Sequence, residues 1–441
     1  MVNDSKTSTK AFSLQEIGIS NYTLDVTVAM ILSSLSLFLA DSAQTVGATL
    51  ISVLYVLFTL TRPRHVSLLY IAFALSNTHI LNIFGVSASV CICVICACRY
   101  IFYTKKINKF LLLFAGFYLI YSLQYVIRYS DVSSGVISAL KTIAVLTFFY
   151  FLSTDDFYLH NIRSHTVNAM LFCVYGIITN LFITILITGY VRARVLNNDS
   201  NMLAVEAAVM ISIACVFFIR HNAISVYKFW FVLLSMTLVI VLSGSRNGYL
   251  LLAICLFFTL LLNLRRLSKI SVLIIAAAVC ACFVLVSESG QNAVATLLNR
   301  TEVLMNKDDF SNGRFEIWRT YLEAFNSNKL YWLFGFGDYR NIGITEMGHN
   351  GLIEDIAAYG LVGTCAIVLT ALKIWKTLKD NVSAKSRKTF FSLLPLVIIF
   401  VGSITLRSLT NIINLTMIYM SISLLLSEPL DEEKAELQIK S

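Results

Sequence analysis

Apolar residues occur along this chain in runs that are long enough for a helix to cross a lipid bilayer. These runs alternate with short polar turns through most of the sequence. A span requires ~17–25 apolar residues, so we predict about 12 to 14 transmembrane helices. The candidate spans are residues 23–40, 45–61, 66–82, 85–103, 109–127, 135–152, 166–189, 203–219, 228–243, 249–263, 270–287, 352–372, 389–405 and 409–427. The predicted fold is an all-α integral membrane protein in which residues 1–441 form a single polytopic domain.

One long polar segment, residues 288–351, interrupts this pattern of spans and short turns. Apolar residues recur at helical spacing over 294–304 and again at Phe315, Trp318, Leu322 and Phe325. This spacing predicts two amphipathic helices that lie over the end of the bundle. The glycines at 335 and 337 predict a sharp turn after them. We therefore expect a large, partly helical loop that can act as a lid.

Composition and charge agree with a membrane protein and indicate its orientation. Hydrophobic residues make up 57% of the chain, charged residues 13%, and the mean hydropathy is +0.77. The first 22 residues are polar and precede no small-residue cleavage site, so we expect an uncleaved anchor with its N-terminus inside. Lys and Arg cluster on alternate loops, which places those loops inside and the 288–351 loop outside. The net charge of +9 then needs no nucleic acid partner, because it orients the helices and faces anionic lipid headgroups.

The cysteines and acidic residues predict neither a disulfide framework nor a metal site. All ten cysteines lie in apolar runs, and the cluster at 91, 93, 96 and 98 is surrounded by Val, Ile and Ala. Small residues of this kind are typical of helix packing in membranes. The sequence also contains no D-x-D motif and no glycine-rich nucleotide loop. We therefore expect no metal and no other cofactor.

Arginines collect in the segments that are predicted to be external. They are Arg192, Arg194, Arg246, Arg300, Arg314, Arg319, Arg340 and Arg407. Arginine makes paired, charge-assisted hydrogen bonds to phosphate, so this set favours an anionic ligand. Contact with lipid headgroups is the alternative interpretation. His349 and His79 are the external histidines, and a neutral imidazole is the usual base near neutral pH.

Two ionisable residues inside predicted spans remain open to more than one interpretation. Lys141 either faces a cavity or extends its stem to the external interface. Glu206 is expected to be interfacial, because it lies near the beginning of its span.

The second half of the chain contains five notable segments. They are R-A-R-V-L-N-N-D-S-N-M-L-A at 192–204, S-G-S-R-N-G at 243–248, G-R-F-E-I-W at 313–318, G-F-G at 335–337, and H-N-G-L with Y-G-L-V-G at 349–363. In their order along the chain, these segments resemble the O-antigen polymerase and O-antigen ligase superfamily. Residues 1–190 are similar to the family only in hydropathy. Ser200 stands where the family usually has proline, which leaves the choice between Arg192 and Arg194 open.

The resemblance implies a GT-C-like glycosyltransferase of the bacterial inner membrane, with its active site facing the periplasm. Such enzymes transfer glycan from undecaprenyl pyrophosphate without a metal. By this resemblance His349 is the base that deprotonates the acceptor hydroxyl, and Arg246 and Arg314 are catalytic and bind the pyrophosphate. Arg192, Arg194 and Arg319 are further pyrophosphate-binding residues. Glu354 and Asp355 follow His349 and are candidates to orient it.

Within the resemblance we favour the polymerase, which joins lipid-linked repeat units. The alternatives are the ligase, which passes the finished glycan to lipid A-core, and a flippase or other transporter of lipid-linked oligosaccharide. Transporters tend to have repeated halves and broken helices, whereas the chain has three prolines and no detectable repeat. The expected partners are an undecaprenyl-pyrophosphate-linked oligosaccharide and membrane lipids, with a chain-length regulator and a flippase as candidate protein partners.

Overall fold

The computed structural model describes residues 22–41, 45–75, 77, 81–84, 86–104, 108–188, 200–262, 271, 291, 295, 313–382, 390–404 and 410–427. These residues are almost entirely helical. The helices are α1 Tyr22–Asp41, α2 Thr45–Leu60, α3 Ser67–Leu75, α4 Ala88–Thr104, α5 Lys109–Tyr129, α6 Ser138–Leu152, α7 Asp156–His160, α8 Ile162–Thr188, α9 Ser200–Ile219, α10 Val226–Ser243, α11 Arg246–Leu262, α12 Arg314–Ser327, α13 Leu330–Phe334, α14 Gly351–Asn381, α15 Leu394–Ile404 and α16 Ile412–Leu426.

The prediction of an all-α membrane protein is confirmed. Among the described residues, six helices are long and apolar enough to cross a membrane, and seven more are apolar helices of 10–17 residues. Together they coincide with thirteen of the fourteen predicted spans, and the span predicted at 270–287 lies outside the described residues. The strands of the described residues form a two-stranded hairpin, in which β1 Asn82–Ile83 pairs antiparallel with β2 Val86–Ser87.

Helix α9 is the centre of the bundle. Its apolar stretch Asn201–Ile219 is 100% buried, and it packs against α8, α10, α11, α15 and α16. Glycines allow this close approach, because a Cβ atom on Gly248 would lie 2.6 Å from the Ala204 side chain. Glu206 lies on this helix and is 2% exposed. Neighbouring helices therefore cover Glu206, and its location at the membrane interface stays a prediction.

The helices alternate in direction, so the bundle has two ends. We call the end that carries 313–350 and the β-hairpin the loop face, and the other end the basic face. On the basic face Arg62 forms an ion pair with buried Asp25, and Arg64 Nε lies 3.2 Å from Asp155 Oδ2. These predicted inside arginines therefore fasten neighbouring helix ends together.

Candidate functional site

Helix α12 and the turns after it pack on the first part of α14 as a small hydrophobic core. Of the two predicted amphipathic helices, the second is confirmed as α12, whose buried residues are Tyr321 and Phe325. The helix predicted at 294–304 lies almost entirely outside the described residues. Tyr321 and Phe325 contact Phe336 and Ala357 in a cluster separate from the core of the bundle. The predicted apolar face is only partly correct, because the helix presents a rotated face. As a result Phe315 is 64% exposed and Leu322 is 43% exposed.

Helix α14 is broken at Gly360, and the loop fills the break. Gly360 has φ 61° and ψ 175°, which is not helical. The backbone N–H groups of Phe336 and Gly337 donate to the carbonyl of Ala357 at 2.8 and 3.2 Å. A Cβ atom on Gly360 would lie 2.3 Å from the carbonyl oxygen of Leu333. Glycine is therefore required here both by its backbone conformation and by the approach of the loop.

Three polar side chains of α5 complete this junction. Tyr125 Oη donates to the carbonyl of Phe334 at 2.7 Å, and Gln124 Nε2 donates to the same oxygen at 3.2 Å. Tyr121 Oη lies 3.1 Å from that oxygen and 2.5 Å from the carbonyl of Tyr359. A broken helix in a membrane leaves carbonyls that need such donors. The spacing of 121, 124 and 125 places them on one side of α5, but nothing in the sequence relates them to the loop.

His349 lies in a turn whose backbone is held from both sides. Its φ is +47°, a left-handed conformation that is uncommon outside glycine. Trp318 Nε1 donates to the carbonyl of the preceding Gly348 at 2.7 Å. The Asn350 side chain caps α14 by accepting from the N–H groups of residues 352 and 353. The half-buried imidazole is therefore presented by a constrained backbone.

The two carboxylates after His349 have different contacts. Glu354 Oε1 accepts from the backbone N–H of His349 at 3.0 Å, so it stabilises the turn itself. Asp355 is 1% exposed, and its Oδ1 accepts from Thr410 Oγ1 at 2.7 Å.

Burial, together with the Glu354 charge, raises the pKa of Tyr321 well above its usual value. Tyr321 therefore stays protonated at neutral pH and donates to the carbonyl of Glu346.

Arg314 is on the same helix as Trp318, the residue that contacts the turn of His349. Arg314 is the first residue of α12, and Trp318 lies one helical turn further along the same side. Trp318 in turn contacts Gly348, the neighbour of His349. The helix of Arg314 therefore contacts the turn that carries His349 through Trp318.

The other described arginines of the loop have carboxylate partners. Arg319 Nε lies 2.8 Å from Glu323 Oε1, with both side chains exposed to solvent. Arg340 forms two hydrogen bonds to Asp338, at 2.9 and 2.6 Å. These bonds lower the pKa of Asp338. Solvent screens exposed pairs of this kind, so they contribute little to stability. Binding of pyrophosphate by Arg319 stays a prediction.

Arg246 lies at a second position on the loop face, where two helices begin side by side. Ser245 caps α11 by accepting from the N–H of Gly248 at 3.2 Å. The Ser245 hydroxyl also donates to Asn201 Oδ1 in the first turn of α9, at 2.7 Å. The positive ends of two helix dipoles therefore lie together beside the exposed Arg246. Arg192, Arg194, Arg300, Arg407 and His79 lie outside the described residues.

Two cavities open at opposite ends of the bundle. The cavity on the loop face has a volume of about 350 Å³, and Lys141 is among its lining residues. Lys141 therefore lines a cavity, as one of its two interpretations expected, and extension of its stem to the external interface stays a prediction. A larger cavity of about 780 Å³ lies on the basic face, with Arg163 and Lys228 in its wall. It is at the far end of the bundle from His349. Among the described residues, no group of three or more His, Cys, Asp or Glu side chains is placed to hold a metal.

Comparison with known proteins gives one match. Residues 230–368 match the family model Wzy_C, which is described as O-Antigen ligase. The matched segment begins in α10 and ends in α14, so it contains Arg246, Arg314 and His349, whereas Arg192 and Arg194 precede it. No curated protein and no solved structure gives a significant match.

Proposed function

We propose that the chain, whose residues 230–368 match the family model Wzy_C, described as O-Antigen ligase, is a surface-polysaccharide polymerase. Wzy polymerases and WaaL ligases share this family domain. Members of the family are glycan polymerases or ligases. In this proposal the substrates are oligosaccharide repeat units linked to undecaprenyl pyrophosphate. Residues 1–441 act as one polytopic domain of the bacterial inner membrane, with the loop face in the periplasm.

The proposed reaction consists of one proton transfer and one displacement at the anomeric carbon, and residues of the loop face promote both. His349 accepts the proton of the acceptor hydroxyl, and the acceptor oxygen attacks the anomeric carbon of the donor glycan. The bond between that carbon and the pyrophosphate oxygen breaks, and undecaprenyl pyrophosphate leaves. A positioned base contributes ~100 to 10,000-fold to such a step.

The observation that carries the proposal is the built turn around His349. The positive φ of His349 costs ~1–3 kcal/mol of conformational free energy. The conformation is held on one side by the hydrogen bond from Trp318 to Gly348 and on the other by the cap of α14. Such strain persists only where the surrounding contacts hold it, and it occurs often at active sites. Arg314 begins the helix whose Trp318 contacts this turn, and in the proposal it supplies a cation to the site.

The leaving group needs stabilisation as negative charge develops on its oxygen. Arg246 at the paired starts of α9 and α11 supplies a guanidinium and helix N–H groups. Arg314 supplies a second guanidinium, and Arg192 or Arg194 with Arg319 complete the proposed set. Each fixed donor contributes ~3–4 kcal/mol to stabilisation of developing charge.

The proposal is tested first with His349→Ala expressed at a membrane level matched to wild type. We expect the variant to insert normally and to make little or no polymer. His79→Ala is the matched histidine control, and it should keep its activity. Polymer made at the wild-type rate by His349→Ala would mean that the imidazole is not the base.

The ligase is the second candidate function, because the matched family is described as O-Antigen ligase. An in-frame deletion separates the two. Loss of a polymerase leaves lipid A-core bearing one repeat unit, whereas loss of a ligase leaves core bearing none. The break in α14 is a feature that transporters also have. Here, however, the loop backbone and α5 tyrosines fill it, so it opens no ion site and does not favour the flippase.

A further inference from the structure

Lys141 is a cation in an apolar helix with no ionic partner among the described residues. It lies in the first turn of α6, within the apolar stretch Gly135–Leu152, and it is half-buried. A lysine at such a position is costly unless a counter-ion or a polar cavity receives it. The nearby carboxylate of Asp355 accepts from Thr410 and forms no ion pair with Lys141. The N–H donors of the ammonium group can therefore bind a ligand.

The cavity beside Lys141 presents a second unused hydrogen-bond donor. The Asn411 side chain lines the cavity, and its Oδ1 accepts from the N–H of Asn414 as the cap of α16. Its Nδ2 is buried and has no hydrogen-bond partner in the described part of the chain. Leaving such a donor unpaired costs ~1–3 kcal/mol. An ammonium and an amide that both need acceptors match the oxygens of an anion.

The cavity lies at the level where the helices of the loop face begin. Lys141 is near the start of α6, Asn411 caps α16, and Asn82 belongs to the hairpin between α3 and α4. Helix starts at a membrane surface lie at the level of lipid phosphates. Tyr359, which also lines the cavity, is nine residues from Asn350 along α14, which corresponds to about 14 Å. A phosphate in the cavity would therefore leave its attached group room to extend towards His349.

We propose that this cavity binds a lipid phosphate, with Lys141 and Asn411 as its donors. The phosphate belongs either to the pyrophosphate of a second polyprenyl-linked substrate or to a bilayer phospholipid. The first source rests on the proposed polymerase, whose acceptor is also lipid-linked, while Arg246 and Arg314 hold the donor. A volume of about 350 Å³ is at the small end of ligand cavities, ~300–1,000 Å³. It accommodates a headgroup rather than an oligosaccharide.

The test measures binding to the purified full-length protein without turnover. Undecaprenyl pyrophosphate and, separately, phosphatidylglycerol are titrated, and the number and affinity of bound lipids are read by native mass spectrometry. The variants are Lys141→Gln, which removes the charge, Lys141→Arg, which keeps it, and Asn411→Asp, which keeps the helix cap but removes the amide donor. Lys109→Gln on exposed α5 sequence at the basic face is the matched control.

We expect wild type and Lys109→Gln to bind two carrier lipids. In Lys141→Gln and Asn411→Asp the affinity for the second carrier lipid should fall at least about tenfold, corresponding to about 1.4 kcal/mol. Lys141→Arg should retain it. If these two variants lose phosphatidylglycerol binding while their binding of undecaprenyl pyrophosphate is unchanged, the phosphate in the cavity is that of a bilayer phospholipid. Unchanged binding of both lipids by Lys141→Gln and Asn411→Asp overturns the proposal. Since no catalysis is measured, that result would leave the test of His349 unaffected.

Discussion

Replacement of Gly360 by alanine should release the loop from the bundle while the protein stays in the membrane. Gly360 has φ 61° and ψ 175°, a conformation that other residues adopt at a cost of ~1–3 kcal/mol. The added Cβ would lie 2.3 Å from the carbonyl oxygen of Leu333 and 2.5 Å from the N of Gly335. Both are backbone atoms, so they cannot move aside as a flexible side chain would. Such overpacking adds ~1–3 kcal/mol.

The total of about 2–6 kcal/mol acts on one local junction. The atoms that clash belong to the loop on one side and to α14 on the other, so separation of the two relieves most of the strain. The three atoms nearest to the new methyl group belong to Leu333 and Gly335 and not to the bundle core, which is a separate cluster around α9. We therefore expect undocking of residues 313–350 rather than global unfolding.

The assay combines limited proteolysis of the loop in intact membrane preparations with the amount of polymer made. Gly360→Ala should be cut faster within the loop, accumulate near normally and make much less polymer. The matched control is Gly116→Ala on α5, where an added Cβ meets no atom within 4 Å. If Gly360→Ala equals wild type both in protection of the loop from proteolysis and in polymer yield, the idea that Gly360 holds the loop in place is refuted.

Three further predictions concern the cations, the tyrosine anchors and the orientation. Arg246→Lys and Arg314→Lys keep the charge but lose the forked geometry, so polymer synthesis should fall substantially; normal synthesis in both would mean that only bulk charge matters. Tyr125→Phe removes one of three donors to the carbonyl of Phe334, worth ~0.5–1.5 kcal/mol; proteolysis of the loop should become moderately faster, and an unchanged rate would argue against the anchor. Alkaline phosphatase fused near Asn328 should be active and near Ser383 inactive, and the reverse pattern would place the loop face in the cytoplasm.

The sequence by itself determined the membrane spans, because hydropathy is a local property that each segment carries alone. The same holds for α12, whose helical spacing is visible in G-R-F-E-I-W and the residues after it. The candidate site residues Arg314 and His349 also stand out locally, since they are polar groups in short motifs. Their roles in catalysis stay predictions.

Tertiary structure alone decided what these segments contact. Tyr125 and Phe334 are 209 residues apart, and no local pattern relates a tyrosine in α5 to a carbonyl in the loop. The buried face of α12 and the burial of Glu206 also depend on which neighbour covers each side chain. Lys141 faces a cavity because four separate parts of the chain end at the same level around it. Hydropathy selects which residues leave water, whereas close packing between distant segments selects their partners.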